Sequence, residues 1–157
     1  MAQREHNYRI SVQWTGNKGS GTSGYKAYSR DYTIAAPGKP DLLGSADPAF
    51  LGDKNRWNPE DLLVASASAC HKLWYLHLCA DAGIIVVDYA DEAEGTMIDG
   101  DKGRFTQIVL KPTVTISDGD IELAQRLHHD AHEQCFIANS LNFPVVCEAI
   151  VQHQAKP

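Results

Sequence analysis

Asn58-Pro59-Glu60-Asp61 opens a run that meets no further glycine or proline until Gly83. Asparagine offers a capping side chain, and proline fits the first helical position, where no amide hydrogen is needed. The two carboxylates lie where the helix dipole favours negative charge. Gly83 supplies the stop. The chain is therefore committed to one long helix from about Asn58 to Ala82, and every other segment has to accommodate it. Within that helix, Ala65-Ser66-Ala67-Ser68-Ala69 precedes Cys70 and His71, and Trp74 and Tyr75 follow. A row of small side chains lets another backbone, a ligand or a loop approach the helix surface, so the Cys70 thiol is expected where something has to reach it.

The flanks read as strands. Tyr8 to Trp14 alternates apolar and polar residues, Thr15 to Gly24 is turn chemistry, and Tyr25 to Ala35 reads as the returning strand of a hairpin. Ala36 to Trp57 has three prolines, three glycines and no period, which predicts a long loop framing a site. Ile84 to Tyr89 and Ala93 to Ile98 are short strand-like segments. Across Arg104 to Ile116 the residues Ile108, Leu110, Val114 and Ile116 share one face with Pro112 in the same row, the mark of an edge strand or a bulge. Asp118 or Asp120 opens a second helix from Ile121 to about Glu133. Cys135 to Leu141 adds a helical turn or two, and Pro144 to Gln152 is a final strand. Strands, helix, strands, helices and strand in that order predict an α+β fold, in one domain over residues 1–157.

A net charge of −6 and the lack of a basic patch argue against nucleic acid or an anionic membrane as partner. The first residues hold no apolar signal core, and no run reaches the roughly 18 apolar residues of a membrane span. A cytoplasmic location is expected, and with it free thiols rather than a disulfide framework for the four cysteines.

That leaves a metal site, a redox pair or core cysteines. Cys79, among Leu76, Leu78 and Ala80, and Cys147, after Val145-Val146, read as core. Cys135 is expected at the start of a helical turn, where free amide donors favour a thiolate. His129, His132 and Cys135, joined to Cys70 and His71, resemble a metal-ligand set in spacing but lack any paired-cysteine or HExxH motif. His71 points about 100° away from Cys70 around the helix, and His77 lies roughly 10 Å further along it, so neither suits the role of general base to that thiol.

NPEDLLVASASAC and the later AHEQCFIANSL, set among strand-rich flanks, closely resemble the OsmC/Ohr family, the osmotically inducible and organic hydroperoxide resistance proteins. Most specific is Asn58-Pro59-Glu60 with a cysteine ten residues after the glutamate and a second one much later, just past a helix. The resemblance, from about Tyr8 to Gln152, implies an intertwined homodimer in which antiparallel sheets wrap around long central helices. It further implies a thiol peroxidase that uses no metal, haem or flavin. Carried over by position, Cys70 is the peroxidatic cysteine, Cys135 the resolving one and Glu60 the carboxylate that pairs with an arginine. The family's arginine has no direct counterpart, since the hairpin turn carries Lys18 and Ala49 precedes Phe50-Leu51-Gly52. Arg56 and Arg30 are the candidates, and Arg56, next to the helix cap, is preferred.

The expected activity is reduction of an organic hydroperoxide in an apolar pocket that includes Phe50, Leu51, Trp74 and Phe136. A dithiol, either a dihydrolipoyl protein or a small thiol, would reset a Cys70–Cys135 disulfide. Two other readings remain: a redox sensor or small-ligand binder without turnover, and a metal protein using Cys70, Cys135 and His132.

Overall fold

The computed structural model describes residues 3–155, and its internal contacts group into two compact units that divide after Leu62. In the first unit, β1 (Ser11–Trp14), β2 (Tyr32–Ala35) and β3 (Leu42–Gly44) form an antiparallel sheet in that order. The returning strand is thus much shorter than the expected Tyr25–Ala35. Arg30 explains the difference: it donates to the carbonyls of Tyr25 (2.6 Å) and Tyr28 (2.9 Å) and lies over both rings, fixing that stretch as a compact turn. The long loop expected over Ala36–Trp57 contains β3 and a single 3-10 turn, Pro48–Phe50.

Helix α1 (Pro59–Asp81) begins and ends as the sequence dictates. Asn58 Oδ1 accepts from the Asp61 amide at 2.7 Å. At the other end Gly83 adopts φ 72°, the Ile84 amide donates to Cys79 O and the Gly83 amide to Ala80 O, a Schellman ending in which the left-handed residue needs no Cβ.

In the second unit, β4 (Ile85–Asp91), β5 (Glu94–Ile98), β6 (Arg104–Leu110) and β7 (Pro112–Asp118) precede α2 (Ile121–Gln134), and β8 (Val145–Cys147) and β9 (Ile150–His153) follow a 3-10 turn at Ala138–Ser140. They make two three-stranded sheets, β4-β7-β9 and β5-β6-β8, each with one antiparallel and one parallel pair.

Two segments read as single strands are therefore split. Ile108, Leu110, Pro112, Val114 and Ile116 are all buried and keep period two, yet the chain leaves one sheet after Leu110 and enters the other at Pro112, where a residue without an amide hydrogen can start a strand. The Lys111 amide is satisfied at the crossing by Asp91 Oδ1 at 2.7 Å. Pro144–Gln152 switches sheets in the same way between β8 and β9, and the Glu148 amide donates to Leu110 O there.

The core consists of two apolar clusters. Tyr75, Cys79, Ile84, Val114, Ile116, Ala124, Leu127 and Ala131 form one, and Ala67, Ile108, Leu110 and Val145 the other. The fully buried residues of α1 are Ala67, His71, Tyr75 and Cys79, one at every fourth position, so they form a single stripe. His71 is 1% and His128 4% exposed. Their facing nitrogens, His71 Nε2 and His128 Nδ1, are 3.0 Å apart, and the Tyr75 ring stacks on His128.

Burial pushes His71 down to about 4, with Asp91 acting in the opposite sense, and pushes His128 down to about 3, with His71 adding to the fall. Both rings are neutral in the folded protein at pH 7. Unfolded, they titrate near 6.5. Their contribution to stability is complete above that pH and is lost as the pH falls below it, because the unfolded chain then takes up protons that the folded one refuses. Each histidine costs up to about 1.4 kcal/mol per pH unit in that window. Urea unfolding between pH 7 and pH 5, in buffer containing EDTA, should give a midpoint that drops with acidity and a shallower slope in His128→Gln.

Candidate functional site: a thiol pair at an apolar groove

Cys70 lies on α1 next to the buried stripe and is half-buried, whereas Cys135 is 1% exposed. Cys135 forms the C-cap of α2, its amide donating to His132 O at 3.2 Å. The thiol is at the carbonyl end of α2, where the dipole disfavours a thiolate, and also at the head of the next turn, as expected, where the Asn139 amide donates to Cys135 O at 3.0 Å. Burial pushes Cys135 up to about 11, against the Ala138 amide, which donates to its sulfur at 3.4 Å, and the nearby Cys70 thiol adds to the rise. The two thiols are therefore neighbours, and Cys135 holds its proton.

Cys70, Leu73, Trp74, His77 and Phe136 line a groove of about 280 Å³. Trp74 and Phe136 meet edge to face at 5.5 Å between ring centroids, and Trp74 meets His77 at 5.8 Å. His77 pairs in turn with Asp81 at 3.4 Å. Trp74 thus divides its surface between core and groove, while Tyr75 is wholly core. Of the small-residue run only Ala67 is fully buried, against the cluster containing Ile108 and Leu110. It is there that lack of bulk brings helix and sheet together.

Glu60 and Arg56 belong to the first unit. Glu60, in the first turn of α1, has its Oε2 buried without a hydrogen-bond partner and raises the pKa of Tyr32, where burial is the larger cause. Arg56 Nε lies 3.7 Å from Asp31 and 3.6 Å from Asp53. Arg30, the other candidate, is occupied within its own turn as described above.

Among the described residues, the side chains that gather within reach of one ion are His71, His128 and Cys147, not the Cys70, Cys135 and His132 of the metal reading. Cys147 had been read as core. No short-range motif links these three positions. The available signal was the stripe: His71 stands four residues before Tyr75 and eight before Cys79, on the face that had to be buried.

A mixed helix and sheet fold thus carries one cysteine on a long helix and another at the end of a second helix. A sequence model of the OsmC-like protein family matches residues 52–149, and the chain belongs to that family. An OsmC-like protein of unknown function from Vibrio cholerae O1 biovar eltor has a TM-score of 0.83 at 32% identity, over 93% of this chain and 100% of its own. The organic hydroperoxide resistance protein OhrB of Bacillus subtilis gives a TM-score of 0.57 at 25% identity, over 92% and 98% of the two chains. YmaD of Bacillus subtilis (strain 168), an uncharacterised protein, is 26% identical over 159 residues, covering 94% of this chain and 96% of its own.

Cys79 and Cys147 are raised by burial, Cys147 to about 12. Of the four thiols, Cys70 is the one that lines the groove. Brief treatment with iodoacetamide at pH 7.5, followed by peptide mass spectrometry, should label Cys70 about tenfold faster than any of the other three.

Proposed function

We propose that the protein is a thiol-dependent peroxidase acting on organic hydroperoxides. The observation that carries this reading is the Cys70 thiol, set at an apolar groove with the Cys135 thiol close by. Cys70 as thiolate attacks the terminal peroxide oxygen, the O–O bond breaks, and the leaving alkoxide takes a proton to become an alcohol. The sulfur is left as a sulfenic acid, two electrons oxidised. Cys135, which keeps its proton until then, attacks that sulfur, water leaves and a Cys70–Cys135 disulfide remains. An external dithiol, a dihydrolipoyl protein or a small thiol, returns the two electrons.

Leu73, Trp74 and Phe136 suit an alkyl or lipid peroxide better than hydrogen peroxide, since an apolar chain gains from covering them. The name of the Bacillus subtilis relative OhrB supports the same substrate class. Glu60 and Arg56 enter through the family resemblance as the carboxylate and cation of the reaction. Glu60 Oε2, buried and unpaired, is an acceptor awaiting a donor.

A homodimer is part of the reading. Among the described residues, no apolar side chain of the first unit is buried, and Val12, Trp14, Leu43 and Trp57 are exposed. A three-stranded sheet without a covered face is marginal in water, so a second copy is the cover we assign to it. Light scattering on the purified protein should give twice the chain mass of 17.2 kDa; the mass of a single chain would refute the dimer.

The peroxidase reading is tested by consumption of cumene hydroperoxide with dihydrolipoamide. Cys70→Ser should reduce turnover to background, and Cys135→Ser should stop after one cycle as a sulfenic acid trapped by dimedone. Arg56→Gln and Glu60→Gln should each lower kcat/KM about tenfold or more. If wild type forms the sulfenic acid once but never turns over with any dithiol, the protein is a sensor and not a peroxidase.

A further inference from the structure

The second unit holds another group of chemistry-bearing side chains that the peroxidase reaction does not use. His71 comes from α1, His128 from α2 and Cys147 from the end of β8. The three meet in the interior: His71 Nε2 and His128 Nδ1 are 3.0 Å apart, and Cys147 Sγ is 3.6 Å from the first and 3.8 Å from the second. We propose that these three atoms bind a zinc ion, with a fourth position open to a small donor.

The distances fit the ion. A tetrahedral zinc stands about 2.0–2.1 Å from nitrogen and about 2.3 Å from sulfur, which places two nitrogens about 3.3 Å apart and each of them about 3.6 Å from the sulfur. The triangle in the protein needs only a few tenths of an ångström of adjustment. Two imidazoles and a thiolate select zinc over magnesium or calcium, which prefer oxygen donors. The imidazoles are held neutral, the form that ligates. The outward nitrogens, His71 Nδ1 and His128 Nε2, are buried without a partner and carry the ring protons when the inward ones face the ion.

The rings are also held in place. His71 and His128 lie within 6° of parallel at 5.3 Å, and Tyr75 stacks on His128 with ring centroids 3.8 Å apart. Binding exchanges the Cys147 thiol proton for the ion, releasing one proton to solvent and forming the metal–sulfur bond. The site is separate from the thiol pair: Cys70 and His71 are adjacent in sequence, but they face different neighbours.

The test uses full-length protein stripped with a chelator and titrated with Zn²⁺ or Co²⁺. One ion per chain should bind, Co²⁺ should produce a thiolate-to-metal charge-transfer band, and Zn²⁺ should raise the unfolding temperature. Cys147→Ser should abolish the band and weaken binding about tenfold or more, while the Cys70→Ser/Cys135→Ser double variant should keep both. Cys147→Ser is near-isosteric; if its metal-free unfolding temperature departs from wild type, His71→Gln provides the same comparison. No stoichiometric binding in wild type would overturn the proposal, as would a band that survives Cys147→Ser and vanishes in the double variant.

Discussion

The second unit depends on a stripe one residue wide. Ala67, His71, Tyr75 and Cys79 recur at every fourth position of α1, and both apolar clusters close on that stripe. Ala67 joins the cluster of Ile108, Leu110 and Val145, while Tyr75 and Cys79 join that of Val114, Ile116 and Leu127. Each large side chain buried this way contributes about 1.5–3 kcal/mol. His71 falls between the two clusters, so a polar ring stands where the apolar contacts of one sheet end and those of the other begin. A buried polar group needs a partner, and His128 is the one supplied.

The same helical period separates two groups of side chains. Cys70 precedes His71 by one residue, or about 100° around the helix. The histidine therefore belongs to the interior and the cysteine to its margin, where Leu73, Trp74 and Phe136 form the groove. Cys135 reaches that margin because α2 ends there. Its thiol is buried at a carbonyl terminus and stays protonated, which suits the second role proposed for it.

Where local chemistry decides, the sequence was legible. The Asn58 cap, Pro59, Gly83 and the Asp120 cap of α2 set the helix ends within a residue or so. The row from Ile108 to Ile116 was correctly seen to share one face. What could not be seen was the change of sheet at Pro112, because period two is preserved across it and only long-range pairing distinguishes one strand from two. The stretch from Tyr25 to Arg30 was misread because its aromatic residues favour strands, whereas the Arg30 guanidinium binds carbonyls of its own turn. Cys70 and Cys135 were visible as a motif. The approach of His71, His128 and Cys147 was not, since three distant elements must fold before those atoms meet.

The parallel pairings of β6 with β8 and β7 with β9 tie one C-terminal segment to the central strand of each sheet. Ile108 pairs with Val145 and Val114 with Val151, contacts that close long loops and are slow to form. Until β8 and β9 dock, each sheet of the second unit is only a two-stranded antiparallel ribbon, and the edges of β6 and β7 are free to pair with other chains. The same two strands that complete the sheets thus also bring Cys147 to the histidines, so the closing of the sheet edges and the assembly of that cluster depend on one segment.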